Sequence, residues 1–221
     1  MTTFNVLPLD ITNQVIMVDP QIWRAMRRVS SYYHQLLSWP AYVDKFTVVT
    51  TNVSGNVITQ QWRLDGKLHR EHDLPAYWGR CGIREWRLYG DLHRDHDRPA
   101  AIYNAGRCIW YQHGKKHRDH DRPAYITIDG TRKWYRHGKI HRGHDRPAIV
   151  AADGFRKWYQ HGLTHRDHDR PAYSHSDGTR IWYRHGRTHR GNDLPAYVDS
   201  DGTRTWYRRD WPHRSHDLPA R

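Results

Sequence analysis

The sequence predicts a mainly β protein: an elongated antiparallel ribbon of β-hairpins made of seven 24-residue repeats, with a small N-terminal α-helical module. Three observations lead there. The first is a fixed period. Trp stands at Trp62, Trp86, Trp110, Trp134, Trp158, Trp182 and Trp206, in steps of 24 with no insertion or deletion. The His of a His-Arg pair keeps that step at His69, His93, His117, His141, His165, His189 and His213. Asp keeps it at Asp73, Asp97, Asp121, Asp145, Asp169, Asp193 and Asp217, and a Pro-Ala pair follows each Asp. Self-similarity at one period marks a repeat array in which every copy stacks on the next in a single geometry. The second observation is punctuation. A Gly lies four residues after Trp in six of the seven copies, and Asp210 takes its place in the last. A second Gly falls at Gly82, Gly106, Gly130, Gly154, Gly178 and Gly202, often after Asp. The third is a change of grammar near Phe46, from helical spacing to alternation.

Residues 1–45 form the predicted helical module. A short helix is expected from about Asp10 to Val18. Asp19-Pro20 then supplies an N-cap with Pro at the first helical position. Behind it Ile22, Met26, Val29, Tyr33 and Leu36 follow steps of four and three and make one apolar face, until Pro40 stops the helix. A module this small needs something to pack on. Residues 46–59 read as a capping hairpin turning at Ser54-Gly55-Asn56, and residues 60–221 as the array.

Within a copy, Ala124–Ile128 reads as a strand and Asp129-Gly130 as a hairpin turn with positive φ at both central positions. Thr131–Arg136 is the return strand, and His137-Gly138 turns the chain again. The segment Lys139–Arg142 is short and extended, and Gly143–Pro147 is a tight loop. Pro starts each new strand, because it lacks a donor and restricts its predecessor. With two strands per copy at about 4.8 Å each, a copy advances the ribbon by roughly 10 Å. The His-Arg loops are expected to fold over one face of the sheet, with the Trp rows beneath. Spacing does not say which face holds Trp and which holds the adjacent Tyr.

The chain has 36 Lys+Arg against 23 Asp+Glu, a net charge of +13, and a mean hydropathy of −1.02. Low hydropathy with high charge can signal disorder, but the 11 Trp, 14 Tyr and 3 Phe stand largely at fixed phase. Leu, Ile and Val are scarce in the copies, so Trp, Tyr, Ala and His are expected to supply the buried material. Cys81 and Cys108 fall at different phases and read as free thiols of a reducing compartment. No run of about 18 apolar residues marks a membrane span, and no secretory leader is expected.

The unit of Trp, Gly, His-Arg, Asp and Pro-Ala, with Asp-Gly between, resembles the MORN-repeat variants of large DNA viruses of amoebae over Gln60 to Ala220. The glycine-rich unit of ordinary MORN repeats fits poorly. Leu7-Pro8, Ile16, Asp19-Pro20, Trp23, Val29-Ser30 and Leu36-Leu37 resemble a degenerate F-box. These resemblances imply a non-enzymatic scaffold for protein–protein interaction, as a minor structural component of a viral particle. The alternative they imply is a substrate adaptor that recruits a Skp1-like linker. The partners are then viral structural proteins or that linker, and the location is a virion or host cytoplasm.

The pattern His-x-x-His-Asp could hold a metal. Asn192 replaces the second His in one copy while the rest of the motif persists, so packing and turn formation are the preferred role, without metal or cofactor. Asp is expected to accept from turn amides or from the Arg three residues before it, and each His to find a partner in the neighbouring copy. The Trp, His and Asp positions above are thus a structural ladder. An enzyme needs one set of catalytic groups, not seven, so no catalytic residue is assigned. Candidate partner-binding residues are Leu7, Pro8, Ile22, Met26, Val29 and Trp211. The last stands in the altered final copy, at a sheet edge that invites docking. The basic, aromatic composition also admits nucleic-acid binding.

Overall fold

The computed structural model describes residues 46–53 and 56–213, which fall into two compact units with the chain boundary between Asp91 and Leu92. The helical module expected over 1–45, the turn residues Ser54 and Gly55, and Asp217 lie outside the described residues. Among the described residues the fold is β throughout, apart from two 3-10 turns at Arg80–Gly82 and Asn104–Gly106. No described helix is long and apolar enough to cross a membrane.

In the first unit, strand Phe46–Val53 pairs with Asn56–Leu64, placing Val48 opposite Trp62, with a register shift between Thr51 and Asn52. The return strand runs on through Trp62, so the capping hairpin and the first copy are one piece of sheet. Its other edge takes Lys67–Leu68 and Tyr77–Gly79, and the latter pairs with Arg84–Glu85.

In the second unit ten short strands pair in chain order, from Ala101–Tyr103 and Arg107–Ile109 to Tyr197–Val198 and Arg204–Thr205. All the pairings given for them are antiparallel. Two strands per copy enter this sheet, as expected. Beside it each copy carries a two-stranded ribbon, for example Tyr135–Arg136 with Lys139–Ile140.

Turn chemistry explains the punctuation and corrects one expectation. At Asp129-Gly130 only Gly130 has positive φ, +87°. The Gly130 amide donates to the Thr127 carbonyl at 3.0 Å, and Thr127 donates to Thr131 at 3.1 Å. This is a three-residue hairpin loop, a type I turn closed by one left-handed Gly. Asp129 serves by its side chain, whose Oδ1 accepts from the Thr131 amide at 3.1 Å. The two-residue turn with both φ positive is instead His137-Gly138, at 49° and 85°. The loop of each described copy contains a second such pair, for example His144 at 56° and Asp145 at 52°, spanned by the Arg146 amide donating to the Gly143 carbonyl at 3.2 Å. Asn, Asp and His are the side chains that best tolerate this region. The second His of the motif is therefore a conformational residue, and Asn192 at 55° does the same job.

Trp134 interrupts the return strand because it serves two partners. Its amide donates to Ala148 of the next copy at 2.9 Å, and its carbonyl accepts from His141 at 3.1 Å. The buried apolar side chains are mainly Trp and Ala: Trp62, Trp86, Trp110, Trp134, Trp158 and Trp182 are at most 9% exposed, and the Ala of each described Pro-Ala pair is 0% exposed. His69, His93, His117 and His165 are buried with them. The strand tyrosines, expected in the core, are half-buried, because they stand on the opposite face of the sheet, and Tyr89, in a turn, is exposed. Trp134→Ala is predicted to lower the unfolding free energy by about 3–5 kcal/mol. Ile128→Ala, at a side chain 76% exposed, should change it by less than about 0.5 kcal/mol. Urea titration followed by Trp fluorescence measures both.

Candidate functional site

The Trp face is a ladder of rungs that share one plan. Arg142 lies flat on Trp134, its Cζ 3.7 Å from the ring centroid. Its Nη1 donates to the Pro147 carbonyl at 3.2 Å. Its Nε and Nη2 then close a fork on the two oxygens of Asp121, at 2.7 and 2.8 Å, in the preceding copy. Arg146 donates a further bond to Asp121 at 2.5 Å. The Trp134 indole N–H reaches the Asp121 backbone carbonyl at 2.9 Å. The fork repeats with Arg118 on Asp97, Arg166 on Asp145 and Arg190 on Asp169. The Asp thus takes the Arg of the following copy, not the Arg three residues before it as expected. The loop turns its own Asp forward, away from its own Arg. Arg118, Arg142 and Arg166 hold Asp97, Asp121 and Asp145 below the ordinary carboxylate value, with Arg122, Arg146 and Arg170 reinforcing them against the opposing effect of burial.

The first rung is incomplete. Arg70 stacks on Trp62 at 3.9 Å and donates to Pro75, but 21 residues upstream stands Val49, in the straight strand of the cap. Burial without a carboxylate lowers Arg70 to about 10.

The buried histidines clamp neighbouring copies, as expected. His117 Nδ1 accepts from the His137 amide at 3.2 Å, and the two rings stack 4.5 Å apart. With Nδ1 accepting, Nε2 carries the hydrogen and points it at Asp119, 2.9 Å away. Neither ring nitrogen then keeps a lone pair for a metal. His165 repeats this with His185 and Asp167. His141 and His189 have Gly143 and Gly191 where those copies have Asp. Burial pushes both below the usual imidazole value, helped by His161 and Arg136 around His141, and by Arg184, Arg208 and Arg209 around His189.

The opposite face is the surface left for function. Pairing places Tyr125, Lys133, Ile149, Lys157, Tyr173, Ile181 and Tyr197 in one row across the second unit. Directly paired residues share a face. Tyr135, Tyr159 and Tyr183 flank that row. Lys116 sits 5.9 Å from the Tyr125 ring and 5.1 Å from that of Tyr135, and Lys157 sits 5.3 and 5.5 Å from Tyr159 and Tyr183. All these tyrosines are half-buried, and no acidic residue belongs to the row. The signal for this face was readable: Tyr directly follows Trp in five copies.

The grooves between successive loops, of about 280 and 220 Å³ for two adjacent pairs, are lined by the same residue types in each copy. Such repetition suits packing better than a unique reaction centre. Among the described residues no cluster of three metal-ligating side chains occurs. Trp211, on the strand Trp211–Pro212, is 77% exposed, and His213 is exposed beside it. Leu7, Pro8, Ile22, Met26 and Val29 lie outside the described residues. No family model matches the chain, and no curated protein matches it.

Two predictions follow from the rungs and clamps. Arg142→Lys keeps the charge but loses the fork and the flat stack, at an expected cost of about 1–2 kcal/mol. A double-mutant cycle with Asp121→Asn should show coupling, and additive losses would reject the rung. Acid should act in two windows. The stabilisation from His141 and His189 is complete above the unfolded value of about 6.5, and is lost as pH falls through it and through the lowered folded values. The three aspartates stabilise above about 3.9 and lose that contribution as pH falls through their depressed folded values. Urea midpoints across pH should therefore drop in two steps, and His141→Asn/His189→Asn should abolish the upper step alone.

Proposed function

We propose that this protein is a non-enzymatic repeat scaffold that binds another protein across its tyrosine face. The observation that supports this is the row of half-buried Tyr, Lys and Ile side chains on the face opposite the loops. Tyrosine offers large area at small entropic cost, and interfaces are enriched in it. Stiff strand pairing holds these side chains in place, so little ordering is needed on binding. A solvated sheet face could be plain polar surface; this one carries apolar and aromatic side chains in register.

The repeat resemblance directs the search for the partner to structural proteins of a virus particle. Affinity capture followed by mass spectrometry identifies it, and a binding titration tests the face. Tyr135→Ala/Tyr159→Ala should weaken binding by about a hundredfold or more, as truncation of two interface anchors does. Arg132→Ala/Arg156→Ala, on the loop side, should change it little. A tyrosine double variant that binds within threefold of the parent would sink the assignment.

A further inference from the structure

The rung arginines Arg118, Arg142, Arg166 and Arg190 have carboxylate partners, but four arginines on the last two ribbons of the second unit form no such pair among the described residues. Arg184 and Arg187 stand directly opposite each other on paired strands, although like charges so placed repel. Arg208 stands opposite Trp211 on the next ribbon, and Arg209 occupies its turn with φ 54°. All four arginines are exposed. With His189 and Trp211 they line one open cleft of about 1050 Å³. An earlier ribbon also pairs like charges, Arg136 opposite Lys139, but the ribbon after it has Gln160, His161 and Leu163 where this cleft has Arg208, Arg209 and Trp211.

Two details mark the cleft as more than a charged surface. His189 Nδ1 is buried and has no hydrogen-bond partner. In preceding copies the same atom accepts an amide 20 residues downstream, as His165 does from His185. Here that turn is Arg209-Asp210 in place of His-Gly. The nearby acid is engaged elsewhere: Asp210 Oδ1 accepts from the Thr188 amide at 2.6 Å. The second detail is Trp211, 77% exposed at the rim. Exposed Trp beside unpaired Arg is the combination that stacks bases and neutralises backbone phosphates. Nucleic acid carries a planar base beside every phosphate, whereas a surface carboxylate of a protein comes without a ring attached.

We propose that this cleft binds single-stranded nucleic acid, its arginines holding successive phosphates and Trp211 stacking on a base. The site shares no residue with the tyrosine face, so each stands or falls separately. The test is anisotropy of a fluorescein-labelled oligothymidylate of about 12 nucleotides titrated with the full chain. Binding should weaken with salt at a slope of about −0.7 per phosphate neutralised. Arg187→Gln/Arg209→Gln should lower affinity at least tenfold and flatten that slope by about 1.4. Trp211→Ala should cost about tenfold with the slope unchanged. Arg132→Gln/Arg156→Gln removes equal charge elsewhere and should cost less than threefold. Equal losses from the two arginine pairs would mean diffuse attraction and overturn the proposal. So would no binding at about 50 mM salt. Tripolyphosphate competing as well as unlabelled oligonucleotide, with Trp211→Ala unaffected, would mean a simple phosphate site and overturn it too.

Discussion

In the second unit, four successive copies are each fastened to the one before by a guanidinium held between an indole and a carboxylate. Arg142 touches its own Trp134 by its flat face, its own Pro147 by one nitrogen, and Asp121 of the preceding copy by its fork. The rigid planar group thus fixes three chain segments at once, which a flexible ammonium could not do. The Trp can be buried because the Arg lids it and Asp121 takes its N–H. The loop can leave the sheet because its Asp is anchored on the next rung. The small residue of the Pro-Ala pair completes the arrangement: Ala148 is wholly buried, and its carbonyl accepts from the Trp134 amide.

Segregation of charge follows from this. The loops on the Trp face hold Arg and Asp together, partly shielded from water. The opposite face is left with Lys and Tyr, and the ammonium groups approach the tyrosine rings. Lys fits there because it need only be a point charge over a π face. The net charge of +13 is therefore a poor guide by itself. Much of the Arg is structural, and the charge free to act lies on the Lys rows, on the exposed row of Arg132, Arg156, Arg180 and Arg204 on the loop side, and at the last ribbons.

The period, the hairpin in every copy and the Trp face beneath the loops were legible, because strict recurrence excludes most alternatives. Three features were not. A turn's type depends on which residue of Asp-Gly or His-Gly takes positive φ, and both dipeptides are good turn formers; only the three-residue loop at Thr127–Thr131 separates them. The partner of each Asp was hidden by the repetition itself. Arg142 lies three residues before Asp145 and 21 after Asp121, and in a 24-residue period these two spacings are the same pattern. Tyr was placed in the core because Trp and Tyr are neighbours and both are aromatic. Strand alternation sends them to opposite faces, and composition cannot say which one the loops will cover.

The bonds that join copies reach no further than the adjacent copy: indole to carbonyl over 13 residues, amide to imidazole over 20, guanidinium to carboxylate over 21. Removing or duplicating one whole 24-residue block within the second unit reconnects like with like, and every severed bond finds an equivalent mate. A gene for such a chain can lengthen or shorten by unequal crossing-over without passing through a misfolded intermediate. Reach becomes a heritable variable, adjustable in increments of one course, while the specialised ends are left untouched.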